Sequence, residues 1–212
     1  MSASRQEHWE NAYRGKSETQ TSWFRAHLDE SLRLIDALAL PPDAPLLDAG
    51  GGRATLVDDL LMRGFRDITV IDLSGTALAE ARHRVGQAGE CVHWIVGDVI
   101  EAELPEAGYA LWHDRAVFHF LTEAMDRERY VAAVARAVRP GGHAVIATFA
   151  MDGPERCSDL PVQRYDADGL AAAFASYFER IAESRDVHLT PVGREQPFTH
   201  VVLRRSQRRL DT

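Results

Sequence analysis

The sequence predicts an α/β fold: a doubly wound, mostly parallel seven-stranded sheet with an antiparallel C-terminal hairpin. Hydrophobic runs alternate with helical segments through residues 45–150, which is the pattern of a parallel sheet. The first of these runs breaks at three glycines and restarts as a helix. Near the C-terminus two strand-like segments follow each other with no helix between them, so they must pair antiparallel.

Several predicted helices in the first half of the chain begin or end at residues that are typical of helix termini. The apolar residues of segment 29–40 fall on one helical face, and Pro41-Pro42 end that helix. Ser74 is positioned to cap the helix after the second strand. The predicted elements are a helix at 29–40, a strand at 45–48, a helix at 54–63, a strand at 67–72 and a helix at 75–87.

The second half continues the alternation as far as the fifth strand. The long helical segment before that strand ends at the turn Arg139-Pro140-Gly141-Gly142. A turn-rich stretch at 191–197 separates the last two strands. The predicted elements are strands at 92–96, 109–113 and 143–149, helices at 126–138 and 166–176, and strands at 178–190 and 198–204.

Length and composition are those of a single globular domain. The 212 residues are 45% hydrophobic and 26% charged. We expect one domain over 1–212, with an N-terminal lid and helices at 1–44, a ligand-binding core at 45–150, and a substrate-side loop with the hairpin at 151–212.

Charge and cysteine content exclude several classes of partner. The net charge of −8 argues against nucleic acid, and the arginines at 204, 205, 208 and 209 are predicted to form a solvated tail. No apolar run approaches the ~20 residues of a membrane helix, so no membrane partner is expected. Cys91 and Cys157 lack metal-site spacing, and so few cysteines suit a reducing cytoplasm.

Acidic residues stand at the carboxyl ends of four of the five parallel strands, where such a sheet binds its ligand. Asp72 follows Gly52 by 20 residues, the spacing at which a carboxylate accepts ribose hydroxyls. Gly50 and Gly52 lack Cβ atoms, so a ligand can pack on the backbone. Asp98 can accept from an adenine amino group. The four acidic residues are Asp48, Asp72, Asp98 and Asp114, and the apolar Leu73 and Val99 can face the adenine ring.

The glycine turn also bears on the type of nucleotide. A dinucleotide fingerprint places a third small residue at position 55, where this chain has Thr55. No P-loop or phosphate-binding lysine accompanies the turn. Both observations favour an adenosyl ligand over NAD or ATP.

Four motifs, in this order, resemble those of the class I S-adenosylmethionine-dependent methyltransferases. Where the family's acidic-x-Gly-x-Gly-x-Gly pattern ends in glycine, this chain has Ala54. The resemblance covers about residues 45–150 and the hairpin, and it implies a Rossmann-like fold, S-adenosylmethionine as cofactor and methyl transfer as activity. The motifs are Leu46-Leu47-Asp48-Ala49-Gly50-Gly51-Gly52, Ile71-Asp72-Leu73-Ser74, Gly97-Asp98-Val99 and Arg139-Pro140-Gly141-Gly142.

The N-terminal region resembles the start of the methyltransferase-like protein lysine methyltransferases, and also that of thiopurine and tellurite methyltransferases. In the lysine-modifying relatives a Trp-x3-Tyr motif and a later Trp close over the cofactor, which implies this role for Trp9, Tyr13 and Trp23. Aromatic faces suit a sulfonium cation and shield it from water. A core-packing cluster is the alternative. A basic residue after strand four contacts the cofactor in these relatives, and Arg115 takes that place.

Candidate catalytic residues follow the fourth strand. Positioning can supply most of the catalysis of a methyl displacement, and a base is needed only if the nucleophile arrives protonated. His113, Asp114 and His119 are the candidate bases, with a structural hydrogen-bonded role as the alternative. Arg115 could pair with a carboxylate, with Asp114 or with Asp48. Members of the resembled family that methylate amines carry an Asn-Pro-Pro-Tyr-type motif after strand four. This chain lacks that motif, which disfavours N-methylation of adenine or glutamine.

The loop after the fifth strand, residues 152–165, is expected to cover the substrate. Cys157, Arg164 and Tyr165 could line the pocket. His188 and Gln196 could join them from the hairpin.

The predicted function is methyl transfer from S-adenosylmethionine to a small-molecule acceptor by in-line displacement. A protein lysine is a second candidate acceptor. Two different functions also suit such a sheet, namely an NAD(P)-dependent oxidoreductase and a non-catalytic module that binds the cofactor.

Overall fold

The structure is a computed structural model that describes residues 2–15 and 21–207. Its strands are β1 (Leu46–Ala49), β2 (Ile68–Asp72), β3 (Val92–Val96), β4 (Tyr109–Arg115), β5 (Val138–Phe149), β6 (Arg156–Cys157), β7 (Leu160–Pro161), β8 (Phe178–Leu189) and β9 (Glu195–Arg205). The main sheet has the order β3-β2-β1-β4-β5-β9-β8, and β6 and β7 form a separate hairpin.

Six α-helices connect or flank these strands in the described part of the chain. Ser74 caps the fourth helix as predicted, since its side chain accepts a hydrogen bond from the backbone of Ala77. The helices are α1 (Ser2–Tyr13), α2 (Asp29–Ala37), α3 (Leu56–Met62), α4 (Gly75–Val85), α5 (Ala124–Ala137) and α6 (Ala167–Phe174).

The predicted fold class is confirmed. β1 to β5 pair in parallel, while β9 pairs antiparallel with β5 and with the edge strand β8. The C-terminal hairpin therefore closes one side of a seven-stranded sheet. The order reverses between β1 and β4, which makes the carboxyl ends of these two strands the switch point where doubly wound sheets bind ligands.

Consecutive residues of the central strands bury opposite faces of the sheet, because side chains alternate along a strand. Leu46 and Leu111 pack with helices α2, α3 and α4, whereas Leu47 and Trp112 pack with α5 and α6. The strands are packed between these two apolar layers. The polar side chains at the carboxyl ends of the strands therefore lie together at one edge of the sheet.

The predicted start of the fifth strand and the predicted loop after it both differ from the structure. The Arg139-Pro140-Gly141-Gly142 stretch lies inside β5, which begins at Val138. A register shift between Tyr109 and Leu111 of β4 accommodates it, with Gly141 at φ +76°. Residues 139–142 have no partners in β4, since the register passes from Tyr109–Val138 to Leu111–His143, so the turn motif forms a bulge between two paired parts of β5. The predicted covering loop contains the short hairpin β6–β7.

The basic C-terminus does not behave as one solvated tail. Arg205 lies at the end of β9 and is buried, and its Nε donates to the carbonyl of Ala135 at 2.9 Å. Arg204 is exposed and pairs with Glu179. The strand continues to Arg205 because alternation turns this side chain inward, towards the carbonyl groups that accept from it. Arg208 and Arg209 lie outside the described residues.

Across residues 2–15 and 21–207, none of the helices has both the length and the apolar character that a transmembrane span requires.

Candidate functional site

A cavity of about 360 Å³ opens at the switch point, over the carboxyl ends of β1, β2 and β4 and the loop after β3. Helix α1, the segment 21–28 and the β6–β7 hairpin form its other walls. Every residue predicted to bind the cofactor lines this cavity except Gly52, which lies just behind it. The structure therefore brings together residues from four strand ends and from the N-terminal region.

The glycine turn is shaped by its close neighbours. Gly52 has φ +47°, and a Cβ there would lie 2.5 Å from the hydroxyl of Tyr13 and 3.2 Å from Oδ2 of Asp72. At Gly50, with φ +67°, a Cβ would lie 2.1 Å from a methyl of Val117. Both positions require glycine, because the positive φ would strain any other residue and its Cβ would collide with these neighbours.

Asp72 is an ionisable group with unmet acceptor capacity. It is 8% exposed, and its Oδ1 accepts from the backbone of Ser74 at 2.8 Å. Burial, reinforced by the negative charge of Asp48, raises the pKa of Asp72 to about 7. No basic side chain pairs with it among the described residues. A ligand with two hydroxyl donors suits this carboxylate, so the site fits a ribose.

One carboxylate oxygen of Asp98 accepts a backbone hydrogen bond, and the other lies near a cation. Its Oδ1 accepts from the backbone of Ile100 at 3.0 Å, and its Oδ2 lies 3.7 Å from a guanidinium nitrogen of Arg5. Arg5 belongs to α1 and also pairs with Asp126. Sequence reasoning did not identify Arg5, since no motif links it to the end of β3. The neighbouring Val99 is buried and lines the cavity.

Asp48 and His113 form a buried polar chain with Ser31 of α2. Nδ1 of His113 lies 2.7 Å from Oδ1 of Asp48, and Nε2 lies 2.9 Å from the hydroxyl of Ser31. Because a carboxylate accepts, Nδ1 donates to Asp48, and Nε2 forms the second hydrogen bond with the Ser31 hydroxyl. Both ring nitrogens are therefore engaged.

The other two candidate bases lie outside the cavity lining. Asp114 is fully buried and accepts hydrogen bonds from the backbone of Val117 at 2.8 Å and Phe118 at 3.0 Å, and from the hydroxyl of Tyr130. Burial raises the pKa of Asp114 to about 6. His119 is also fully buried, and burial lowers its pKa to about 3, so its ring is neutral.

Arg115 has neither of the protein partners that the sequence suggested. Asp48 is engaged by His113, and Asp114 by the start of the following turn and Tyr130. The guanidinium carbon of Arg115 instead lies 4.2 Å from the centre of the Phe198 ring. Burial lowers its pKa to about 10, so it keeps its positive charge at neutral pH.

The predicted aromatic residues do meet over the cavity. The ring of Trp9 lies 6.0 Å from that of Trp23 and 5.0 Å from that of Phe120, centre to centre, and Tyr13 lies 5.6 Å from Trp23. Phe120 follows β4 and was missed, because the sequence shows no spacing that links it to the N-terminal aromatics. The four rings form one wall, which we call the aromatic lid.

Two polar contacts hold α1 against the core. Glu10 accepts from the hydroxyl of Ser74 at 2.7 Å and from the backbone of Thr76 at 3.3 Å, at the N-terminus of α4. Arg53 donates to the carbonyl of Tyr13 and to Glu80, each at 2.8 Å. A carboxylate at a helix N-terminus is stabilising, so Glu10 holds α1 against the start of α4. Arg53 holds the end of α1 against the glycine turn.

Residues expected on the substrate side divide between the cavity and the packing around it. Cys157 lines the cavity, and burial raises the pKa of its thiol to about 11. Arg164 pairs with Glu155, and Tyr165 packs on Phe118, so neither lines the cavity. His188 hydrogen-bonds the carbonyl of Ser22 at 2.8 Å, and Gln196 lies outside the lining.

A sequence profile described as "Methyltransferase domain" matches residues 46–142. An uncharacterized methyltransferase of Mycobacterium tuberculosis is 28% identical over 116 residues, which are 55% of this chain. The match spans 56% of the length of that relative. EEF1A lysine methyltransferase 2 of Homo sapiens is 24% identical over 187 residues, which cover 77% of this chain and 79% of the human protein.

Two solved structures share the fold over nearly the whole chain. One comes from work on the conversion of a disulfide bond into a thioacetal group during echinomycin biosynthesis, with TM-score 0.79, 22% identity and coverage of 97% and 94% of the two chains. The other is 1,6-didemethyltoxoflavin-N1-methyltransferase of Burkholderia thailandensis, with TM-score 0.70, 22% identity and coverage of 96% and 85%.

The profile match covers the strands whose ends carry Asp48, Asp72 and Asp98, and the structure joins these carboxylates around one cavity. The cavity therefore lies within the part of the chain that is similar to methyltransferases. Residues 46–142 of the chain thus match a methyltransferase domain, and the relatives and solved structures to which the chain is similar support a class I S-adenosylmethionine-dependent methyltransferase.

Proposed function

We propose that the protein transfers the methyl group of S-adenosylmethionine to a small-molecule acceptor by in-line displacement. The observation that carries this proposal is the enclosure of the cavity by α1, segment 21–28 and the β6–β7 hairpin. At about 360 Å³ it has the size and mostly apolar character of a small-ligand site. The Burkholderia thailandensis enzyme, which was solved with bound 1,6-didemethyltoxoflavin, shares the fold and supports this acceptor class.

Each side of the cavity has a proposed role towards the cofactor. Asp72 accepts the ribose hydroxyls, and Asp98 accepts from the adenine amino group while Leu73 and Val99 flank the ring. Asp48 faces the methionyl portion, and the backbone at Gly50 and Gly52 leaves it room. When bound, the cofactor supplies a methyl group on a sulfonium centre, and the aromatic lid excludes water from that charge.

We propose that His113 acts by positioning Asp48. Replacement with phenylalanine leaves Asp48 and Ser31 without their buried partner. We expect about a tenfold weaker affinity for S-adenosylhomocysteine, measured by titration calorimetry. His113→Gln keeps an amide near Asp48 and should recover most of the loss. Unchanged affinity, together with a turnover loss of about 100-fold or more, would instead make His113 a general base.

The cationic character of S-adenosylmethionine allows a direct test of Trp9. If the indole faces the sulfonium, Trp9→Ala should weaken binding of S-adenosylmethionine by about 1–2 kcal/mol. Binding of the neutral sulfur compound S-adenosylhomocysteine should weaken less. Trp9→Phe is the matched control that retains an aromatic face. Equal losses for both ligands would show that Trp9 only packs against Trp23 and Phe120.

A protein lysine is the second candidate acceptor, because the human EEF1A lysine methyltransferase 2 aligns with 77% of this chain. The two acceptors are distinguished by supplying the purified protein with S-adenosylmethionine and either a small-molecule extract or an unfractionated protein extract. Formation of S-adenosylhomocysteine with the small-molecule extract alone supports our proposal. Formation with the protein extract alone favours the lysine.

The first measurement is titration calorimetry of the protein with S-adenosylmethionine, S-adenosylhomocysteine and NADH. We expect micromolar binding of the two adenosyl ligands and none of NADH. Binding of NADH alone would favour an oxidoreductase. Adenosyl binding with no turnover on either extract would favour a non-catalytic module.

We further propose a cytoplasmic setting. Both cysteines are free, and Cys157 faces the cavity as a protonated thiol. A reducing compartment keeps such thiols unpaired.

A further inference from the structure

The direction of Arg115 separates it from the proposed cofactor residues. It occupies the last position of β4, opposite Ala147 of β5, which in turn lies opposite His200 of β9. Paired residues across a sheet point to the same face. The guanidinium extends along this row to stack on Phe198 of β9, with its carbon 4.2 Å from the ring centre. Arg115 therefore points away from β1 and β2, which carry Asp48 and Asp72.

The charges around Arg115 do not neutralise it. The carboxylate that favours its charged form is Asp186, which already binds Arg25 and the Nε2 of His200, the latter at 2.8 Å. Burial lowers the pKa of His119, His188 and His200, so these rings are neutral at pH 7. Cys157 is protonated, because burial raises its pKa to about 11.

Within residues 2–15 and 21–207, no group accepts a hydrogen bond from Arg115 or forms an ion pair with it, and its Nη2 is buried without a partner. A desolvated cation of this kind is costly unless a counter-ion arrives with the ligand. Arg115 lines the cavity together with Cys157 and Phe120, so that ligand can reach it.

We propose that the methyl acceptor carries a carboxylate or a similar small anionic group that pairs with Arg115. This inference rests on the proposed methyl transfer, and it assigns Arg115 to the acceptor where the family resemblance assigns it to the cofactor. It also disfavours a lysine acceptor, since a second cation would be repelled at this position.

Cys157 provides a reporter for the test, because it lines the same cavity and the charge of Arg115 acts on its thiol. The purified protein, saturated with S-adenosylhomocysteine, is treated with iodoacetate or with its neutral counterpart iodoacetamide. In both reactions the Cys157 thiolate attacks the methylene carbon, a sulfur–carbon bond forms and iodide leaves. Alkylation at each cysteine is followed by peptide mass spectrometry, with the partly exposed Cys91 as internal control.

We expect the iodoacetate-to-iodoacetamide rate ratio at Cys157 to exceed that at Cys91 by about tenfold, the size expected for a charge-assisted contact. Arg115→Gln should reduce the Cys157 ratio to the Cys91 value while leaving affinity for S-adenosylhomocysteine within about twofold of wild type. Arg115→Lys, which retains the charge, should keep part of the preference. Melting temperatures identify any variant that fails to fold.

Two results overturn the inference. The first is a preference that S-adenosylhomocysteine abolishes, with an Arg115→Gln variant that binds this ligand poorly, because Arg115 then holds the cofactor carboxylate. The second is an equal ratio at both cysteines. A failure of the proposed function itself would be recognised differently. Calorimetry would then detect no binding of either adenosyl ligand, while the iodoacetate-to-iodoacetamide rate ratio could still be measured in the free protein.

Discussion

Asp72→Ala is expected to weaken binding of S-adenosylmethionine and S-adenosylhomocysteine by about 100-fold. The wild-type carboxylate is nearly buried, accepts from the backbone of Ser74 at 2.8 Å, and has no cationic partner among the described residues. Two ribose hydroxyls donating to it are worth about 3 kcal/mol together, at the low end for hydrogen bonds to a charged group. Titration calorimetry measures the loss directly.

The control for this variant is Asp43→Ala, which removes a carboxylate from an exposed position ahead of β1. It should bind as wild type does. If Asp72→Ala also retained wild-type affinity, with an unchanged melting temperature, the ribose assignment would be wrong and the adenosyl group would have to be sought elsewhere in the cavity.

The same carboxylate should make cofactor binding depend on pH. Burial raises the pKa of Asp72 to about 7, and only the ionised form accepts from both hydroxyls. Affinity is therefore expected to be full well above pH 7 and to fall as the group is protonated below it. Between pH 8 and pH 6 the loss is about tenfold, from the change in the ionised fraction. Asp72→Asn should bind weakly with no such slope, and an equal slope in that variant would rule out Asp72 as the titrating group.

Asp114→Ala is expected to cause the largest loss of stability among the candidate residues. Removing this fully buried carboxylate leaves two backbone N–H groups, those of Val117 and Phe118, and the Tyr130 hydroxyl without an acceptor. Each unsatisfied buried donor costs about 1–3 kcal/mol, so the free energy of unfolding should fall by about 3 kcal/mol or more. For a domain of this size the melting temperature should fall by about 6–12 °C, measured by thermal denaturation.

Tyr130→Phe is the control: it leaves the carboxylate with its two backbone partners, and the one buried donor that it deprives of an acceptor is the indole N–H of Trp112. It should cost clearly less than Asp114→Ala. A stable Asp114→Ala variant that binds the cofactor yet shows no turnover would reverse the assignment and make Asp114 a catalytic base.

The meeting of the strand-end carboxylates and the glycine turn at one edge of the sheet was predictable from the sequence, because its signals are local. The hydrophobic run ending at Asp48, the glycines at 50 and 52 and the strand ending at Asp72 each lie within a short window. Parallel pairing then brings strand ends to one edge without further information. The mostly parallel sheet and its antiparallel C-terminal hairpin were predictable for the same reason, from the succession of helices and strands, whereas the strand order came from the structure.

The partners of the buried polar groups were not predictable in this way. His113 bonds Ser31 across 82 positions of the chain, and Glu10 reaches Ser74 across 64. Neither contact leaves a spacing in the sequence, since each depends on how a helix packs against the sheet. The early start of β5 was missed for a related reason, because Val138 pairs with Tyr109 of β4 on the far side of the bulge, and no local pattern shows that contact.

The sequence by itself thus determined the sheet, the glycine turn and the row of carboxylates, because secondary structure and strand-end position follow from local pattern. Only the tertiary structure decided that Asp114 supports a turn, that His113 holds Asp48, and that Arg115 faces the cavity without a counter-ion. These outcomes depend on which distant segments meet in the folded chain. The packing of those segments determines whether a buried polar group has a partner within the protein or is left to bind a ligand.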